Sequence, residues 1–493
     1  MSDSRNKIKS LNHWALIVFL SMPFFYSCSS YQTKMDVYYG HLKAHQYEKA
    51  LKSMEANKFL NHPRNILLKD LERGRLQMLN NNPKKSNEFL NAADAILESN
   101  YKTAKDVAVS NLTNPMMENY RGEDFEKLMV NYFKAINYVD LGETADALVE
   151  ARRMTLATNR LSEKYKNKES RYSNDPFILN VQGMLYEMSE DWNNAFISYR
   201  NAADVYLAAG SVYYGVAIPP QLQQDLLYSA AMMGFAAEQL KYEELFQVKL
   251  TRQKNDAGEL ILFLEEGNAP VKEDNSIMIT NVGGLGGFQY LNPYGSYVSI
   301  PFDHHVYGIS DEKLSSIRTF KISLPSYKIV FNKSAASAIN VNGAEYPMQL
   351  SQDFNTLAVS VLKERYLSEM AKAMARFLVK KLVEVGAEKV AVTIAENKNS
   401  KAKESNTNEA ERKKNQERAE NIGKAIGFLV NMANSITEKA DTRSWLSLPA
   451  YISYIRLPLK SGENSISLNY KGIKKSILIQ GNKGLQIKSI VVE

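Results

Sequence analysis

The sequence predicts an α+β protein: a helical-repeat array over its N-terminal half, then a mixed β-sheet domain with inserted helices. Three observations carry this expectation. Apolar residues recur at helical spacing from about Met35 to Val248. At Asp256-Ala257-Gly258 the pattern changes to an unbroken apolar run, Leu260-Ile261-Leu262-Phe263-Leu264, which reads as a buried strand. The chain then ends in four short alternating segments, 451–457, 465–470, 475–480 and 485–492. At 493 residues the chain is long enough for a sizeable core and several domains.

In the array, the first helix pair takes Tyr38, Leu42, Tyr47, Ala50, Leu51 and Met54, turning near His45-Gln46. The second uses Leu67, Leu71, Gly74 and Met78, then Phe89, Leu90, Ala93 and Leu97, and breaks at Asn80-Asn81-Asn82-Pro83. The third runs through Leu128, Tyr132, Ala135, Tyr138 and Leu141, turns at Gly142, and returns through Ala147, Ala151 and Met154. The fourth covers 175–206 and turns at Ser189-Glu190-Asp191. Its small residues Gly183, Ala195 and Ala202 let two antiparallel helices approach closely, and Tyr186, Trp192 and Tyr199 interlock them. Residues 222–248 supply further helix.

The fourth pair resembles a tetratricopeptide (TPR) repeat, a unit of about 34 residues that stacks on neighbours because it cannot bury its own apolar face. Gly74, Ala135 and Gly183 correspond, at intervals of 61 and 48 residues, so the array is TPR-like with insertions. The polar stretch 99–122 is one of them. The resemblance implies a concave inner face that takes peptides or protein segments. Phe177, Asn180, Met184 and Glu187 lie on the first helix of the fourth pair, away from its partner helix. They form the expected partner-binding groove. A terminal segment of the chain filling that groove is the competing expectation.

The N-terminus points to a membrane. Arg5, Lys7 and Lys9 precede an apolar run over 14–25, too short to span a bilayer but suited to the core of a signal peptide. Tyr26-Ser27-Cys28 follows, and Cys28 is the only cysteine of the chain. This arrangement resembles a bacterial lipobox, with Phe25 and Tyr26 where the motif prefers Leu and a small residue. It implies cleavage after residue 27 and lipidation of Cys28. Two or more acyl chains, at about 0.8 kcal/mol per buried methylene, anchor a protein stably. One cysteine excludes an intrachain disulfide. Ser29-Ser30 lacks the Asp that resembles an inner-membrane retention signal, so an outer-membrane, periplasm-facing location is expected.

The net charge of +7 sits at the two ends. Residues 1–27 contribute three cations against Asp3, and 441–493 contributes eight against three acidic residues, +2 and +5. A basic tail is compatible with an anionic wall polymer or lipid headgroups, but its density is not that of a nucleic-acid footprint.

In the C-terminal half, 357–385 returns to helix, with Leu362, Tyr366, Met370, Met374, Phe377, Leu378 and Leu382 along one face. The charged stretch 396–420, with seven basic and six acidic residues, reads as a solvated insertion, and 422–436 as a second apolar helix. Lys460-Ser461-Gly462-Glu463-Asn464 and Gly481-Asn482-Lys483-Gly484 read as hairpin turns. The final strands are expected to complete the sheet begun at Leu260. The expected units are thus 1–27, 28–255, 256–356, 357–440 and 441–493.

Candidate chemistry is sparse. Gly283-Gly284-Leu285-Gly286-Gly287 runs into Phe288 and Pro293 without opening a helix, so it reads as a loop and not a phosphate cradle. Asp303-His304-His305 is the one histidine cluster, and no third metal ligand accompanies it. Glu265 and Glu266 are adjacent on a strand, so their side chains diverge. Neither H-E-x-x-H nor G-x-S-x-G occurs. Asp441, Arg443 and Trp445 alternate before the final sheet: Asp441 and Arg443 can pair, and Trp445 is a core anchor or a partner contact.

The array, the segment 258–272 (GELILFLEEGNAPVK) and the segment 440–449 (ADTRSWLSLP) together resemble a family of bacterial envelope lipoproteins. The similarity spans nearly the whole mature chain and brings no activity with it. It implies a loose association with lipoproteins that activate peptidoglycan synthases. The resulting expectation is a non-enzymatic, cofactor-free scaffold that holds another envelope protein or peptide. The rivals are a wall-polymer enzyme with its site around Glu265 and His304, and an outer-membrane-to-wall tether.

Overall fold

The computed structural model describes residues 31–102, 115–165, 172–282, 287–291, 295–300, 302, 318–332, 338–341, 344–401, 439–470, 473–482 and 484–492. Cys28 and the leader, Gly283 to Gly286, His304, His305, most of the charged insertion and the expected helix at 422–436 lie outside the described residues.

Among the described residues ten helices pair antiparallel. They are α1 (Tyr31–Lys43) with α2 (Tyr47–Glu55), α3 (Ile66–Leu79) with α4 (Pro83–Lys102), and α5 (Asp124–Asp140) with α6 (Thr144–Tyr165). Next come α7 (Pro176–Met188) with α8 (Trp192–Ala208), and α9 (Pro220–Met232) with α10 (Ala236–Phe246). All five turns share one geometry. A residue with positive φ stands at His45, Asn81, Gly142, Glu190 and Gly234. Around each, two amides return to the preceding helix, as when Gly142 N donates to Val139 O and Glu143 N to Tyr138 O. This is the Schellman closure, which satisfies carbonyls that a helix end leaves free. The intervals between these turns are 36, 61, 48 and 44 residues. The helix at 222–248 is therefore a complete fifth repeat.

The expected close approach is present where the small residues are. A Cβ on Gly74 would stand 2.6 Å from Leu90 of α4, and one on Gly183 2.5 Å from the Tyr199 ring of α8. Tyr199 is held by its hydroxyl, which donates to Glu187 at 2.6 Å. Gly183→Ala is therefore expected to cost about 1–3 kcal/mol through overpacking. Urea denaturation checks this, and an unchanged midpoint would mean that the ring moves aside freely. Asp175 starts α7 by accepting from Phe177 N and Ile178 N at 2.9 and 3.1 Å, the N-cap that shifts an unpaired helix start to a satisfied one.

A short hairpin, β1 (Val212–Tyr213) and β2 (Val216–Ala217), separates α8 from α9. Among the described residues the C-terminal half forms three four-stranded sheets. The first has the order β10 (Gln349–Asp353), β11 (Tyr451–Pro458), β3 (Glu259–Glu266), β14 (Leu485–Val492), with β14 parallel to β3. The second is β13 (Ile473–Gly481), β12 (Gly462–Tyr470), β8 (Ala338–Val341), β9 (Ala344–Pro347). The third is β6 (Tyr297–Ile300), β5 (Phe288–Leu291), β4 (Val271–Asn281), β7 (Thr319–Lys328).

The apolar run of β3 is buried because both of its faces are covered. Ile261 and Phe263 join the core of the helical array, whereas Leu260, Leu262 and Leu264 join Ile466 and Leu468 of the second sheet. The first sheet is thus the middle layer between helices and a second sheet. β11 and β14 do complete the sheet begun at Leu260. The turns at 460–464 and 481–484 are not hairpins, however. Each carries the chain from one sheet to another, and β12 pairs instead with β13. The two crossings press together, since a Cβ on Gly481 would meet the Lys460 carbonyl at 2.0 Å. Glycine serves a sheet-to-sheet corner as well as a hairpin, which is why the sequence signal misleads here.

Helix α11 (Phe354–Lys401) begins three residues before the expected Leu357. Asp353 caps it, accepting from Thr356 N at 3.0 Å and from the Thr356 hydroxyl at 2.6 Å. Met370, Ala373, Met374 and Leu378 pack on Ile279, Phe320 and Ile322 of the third sheet, and Phe377 stacks on Phe320 at 4.5 Å.

Candidate functional site

The concave face of the array is not open. Phe177, Asn180, Met184 and Glu187 are all buried, at 1%, 2%, 0% and 4% exposure. Phe177 packs edge-on against Phe263 of β3 and at a tilt against Tyr132 of α5, with ring centroids 6.2 and 5.2 Å apart. Glu187 accepts from Arg456 of β11 at 3.0 and 2.8 Å. The expected groove is therefore not a free partner-binding surface, because the chain's own first sheet fills it. Sheet strands with one apolar face toward the helices bury more surface there than solvent exposure would leave.

Alongside that sheet, the segment 440–450 crosses the N-terminal repeats as an extended peptide. It is held mainly through its backbone. Glu126 accepts from Trp445 N at 2.8 Å, and Glu72 accepts from Leu446 N at 2.7 Å and from Ser447 N at 3.3 Å. The Tyr31 hydroxyl donates to Ser444 O at 2.8 Å, and Arg75 Nε to Ser447 O at 3.3 Å. Trp445 is 1% exposed, its indole N–H donates to the Ser447 hydroxyl at 2.9 Å, and its ring meets Phe133 edge-on. Arg443 is fully buried. It pairs with Asp441 at 2.7 Å and donates to Asn65, Glu118 O and Pro115 O at 2.8, 2.9 and 3.0 Å. Asp441, Arg443 and Trp445 thus lie in non-strand backbone, and all three serve internal contacts.

Two buried ion networks join the halves. Arg75 of α3 pairs with Glu265 of β3, which also accepts from Tyr132 at 3.2 Å and Ser489 at 2.7 Å. Farther along, Glu187, Asp225 and Glu259 meet Arg252 and Arg456, four charged groups on four elements and Arg252 on the connection before β3. Sequence reasoning did not single out Glu72, Arg75, Glu126, Arg252 or Arg456. A signal was present in the first three: each is a charged residue within the apolar stripe of its helix, where a solvated side chain would break the pattern.

Burial pushes Glu72 up to about 7, although hydrogen bonds from Ser447, Tyr38 and Leu446 pull the other way. Burial likewise pushes Asp70 up to about 6. A carboxyl whose folded pKa is raised contributes stability that is complete below its ordinary value and lost as pH rises through the raised one. Melting temperature is therefore expected to fall between about pH 4 and 7. Glu72→Gln, which keeps an acceptor for the two amides, should flatten that fall. An identical slope in the variant would remove Glu72 as its source.

A second feature involves Asp441 and Arg443. With the 115–123 connection, Lys272, Arg365 and Arg376 they line a cavity of about 260 Å³. Inside it Glu123 pairs with both Lys272 and Arg365, the latter at 2.8 Å. Burial alone would raise Glu123, but these two cations hold it well below the usual carboxylate range.

The arrangement bears on the rival expectations. Glu265 is committed to Arg75, Tyr132 and Ser489, and His304 lies outside the described residues. Among the described residues no group of three metal-ligating side chains occurs. Two of the eight tail cations, Arg443 and Arg456, are buried in ion pairs, and Lys488 pairs with Asp140 at 2.7 Å. The tail is thus less basic at its surface than in its sequence. Among the described residues no helix is long and apolar enough to cross a membrane.

No protein family and no curated protein matches the chain. Solved structures align with part of it, among them two of MamA. The crystal structure of MamA protein shares 13% identity with a TM-score of 0.26, covering 43% of this chain and 87% of that one. A MamA AMB-1 structure shares 13% identity with a TM-score of 0.27, covering 43% and 88%. Likeness at that level carries no argument about activity.

Proposed function

We propose that the chain is a lipid-anchored scaffold of the cell envelope, attached through Cys28 to the outer membrane and facing the periplasm, where it holds another envelope protein in cell-wall assembly. Helices and sheet act in it as one welded unit, so the partner is met on an outer surface and not in the groove. The observation that carries this reading is the last helix of the array. Among the described residues no further repeat stacks beyond α10, which leaves Leu240 and Leu245 exposed, at 53% and 52%, with Phe235 and Met232 exposed at the preceding turn. A helical repeat normally buries such a face on its neighbour. The partner that continues the stacking is a protein with an amphipathic helix.

The test is a crosslinking pull-down from intact cells with the wild type, Cys28→Ser and Leu240→Glu plus Leu245→Glu. One defined envelope protein should copurify with the wild type and be lost with the double variant. Cys28→Ser should release the chain from the membrane fraction. Capture that survives the double variant, or crosslinks only between copies of the chain, would overturn the reading.

A further inference from the structure

The third sheet has one face on α11 and leaves the other uncovered. Ile279, Phe288, Ile300, Phe320 and Ile322 turn toward α11 and are buried. Their neighbours along each strand point the opposite way. There Met278, Leu291 and Tyr297 stand 55%, 55% and 68% exposed, with Val282 at 50% just past the end of β4. The first three form a row across the sheet. Leu291 of β5 pairs with Tyr297 of β6, and the register of Ile279 with Tyr290 sets Met278 of β4 beside Leu291. Lys321 of β7, also exposed, extends the row on the other side of Met278. Single exposed apolar side chains need no explanation, but a row of them on one sheet marks an interaction surface.

Composition and position say what it meets. Around the row stand Ser276, Thr280, Gln289, Ser299 and Thr319. Among the described residues the one carboxylate in line with them, Asp274, accepts from Ala440 N at 3.1 Å. An apolar row edged by a tyrosine and a lysine, among hydroxyls and an amide, matches the boundary between lipid headgroups and acyl chains. Tyr sits there by its amphipathic ring, and Lys reaches the phosphates over its apolar stem. The segment that carries Ala440 also holds the start of the described chain, since the Tyr31 hydroxyl donates to Ser444 O at 2.8 Å. Cys28 stands three residues before Tyr31, about 10 Å of extended chain. Met278 stands four residues along β4 from Asp274, about 13 Å. One short segment thus joins the lipid attachment point to this face. An anchor keeps a bilayer at high effective concentration for any surface within its reach.

We infer that the outer face of the third sheet lies on the bilayer that holds the lipid, with Met278, Leu291 and Tyr297 in its interface. This seating presumes the lipid anchor of the scaffold reading and is independent of α10. Held at one point, the chain swivels; seated on a second, it turns a fixed side to its partner. A flat apolar face adds to an acyl anchor because binding grows with the apolar area buried.

The test uses the lipidated chain, purified from membranes, in vesicles of phosphatidylcholine and phosphatidylglycerol that carry a nitroxide-labelled lipid. Cys28 is acylated in this protein, so Tyr297→Cys and, as a control, Leu478→Cys each offer one free thiol for a fluorescent label. Leu478, 62% exposed, belongs to β13 of the second sheet. A label at position 297 should be quenched severalfold more than one at 478, and Met278→Glu plus Leu291→Glu should abolish the difference. Both of these positions face solvent, where substitutions change stability little, and circular dichroism melts verify it. Flotation with the vesicles reports the anchor separately. A chain that fails to float refutes the anchor and this seating with it. A chain that floats with equal quenching at both positions, or whose difference survives the double variant, refutes the seating alone. Crosslinks between copies through the thiol at 297 would assign the face to a second copy and overturn the proposal as well.

Discussion

Replacing Arg456 with methionine should destabilise the protein by about 3–5 kcal/mol, the cost of stranding buried carboxylates without their cation. Arg456 reaches from β11 to Glu187 of α7, to Glu259 of β3 at 2.9 Å and to Asp225 of α9 at 3.0 Å. Glu187 and Asp225 are 4% and 0% exposed, so water cannot replace the lost partner. Arg252 alone would then face three carboxylates. Lysine at 456 should recover only part of the loss, because it offers a point charge where a planar fork meets two oxygens. Urea denaturation of the three proteins is the measurement, and a Met variant within 1 kcal/mol of wild type would refute the argument, a threshold near the noise of such data.

The same cluster sets acid stability. Burial alone would raise Glu187, but the attraction of Arg456 and Arg252 takes it from 4.5 down to about 2. A carboxyl with a depressed folded pKa contributes stability above its ordinary value and loses it as pH falls toward the depressed one. Wild type should therefore weaken between about pH 4.5 and 2, and the Met variant should show a shallower decline over that window.

Replacing Trp445 with alanine should cost about 3–5 kcal/mol, as large-to-small changes of buried aromatic side chains do. The consequence is local as well as global. Trp445 is the largest fully buried side chain of the crossing segment and fixes it against Phe133. Without it, Glu72 and Glu126 hold a backbone that has lost its anchor. Limited proteolysis should then cut within 440–450 before it cuts the helices, whereas wild type should be resistant there. Cutting at the same rate in both proteins would show that the main-chain hydrogen bonds suffice.

The first four repeats were legible because each pairs helical spacing with a turn residue, and the second to fourth add a small residue, Gly74, Ala135 or Gly183, on the first helix. The fifth was less so, since Leu227 stands where Gly183 stands in the fourth, and only Gly234 marked its turn. β3 was legible from its apolar run. The occupancy of the groove was not. Phe177 and Met184 look the same in sequence whether they await a partner or face Phe263, because periodicity reports which face is apolar and never what covers it. Glu187 misled for a related reason: a charged residue on a helix usually means solvent, and its buried cations stand on Arg252 and Arg456, 65 and 269 positions away. The crossing segment was recognised as distinctive, but its role depends on carboxylates some 320 to 370 positions upstream.

That separation has a consequence for how the chain becomes a protein. Tyr31 waits for Ser444, 413 positions later, and β3 acquires its parallel neighbour only from residues 485–492. The ribosome makes the array before residues 485–492, and until they follow the array carries an apolar hollow studded with Glu72, Arg75, Glu126 and Glu187. Local helix pairs form quickly, but closure of loops this long is slow, and the open intermediate is the species exposed to aggregation. Loss of residues 485–492 would remove the strand beside β3 and leave Glu265 without Ser489.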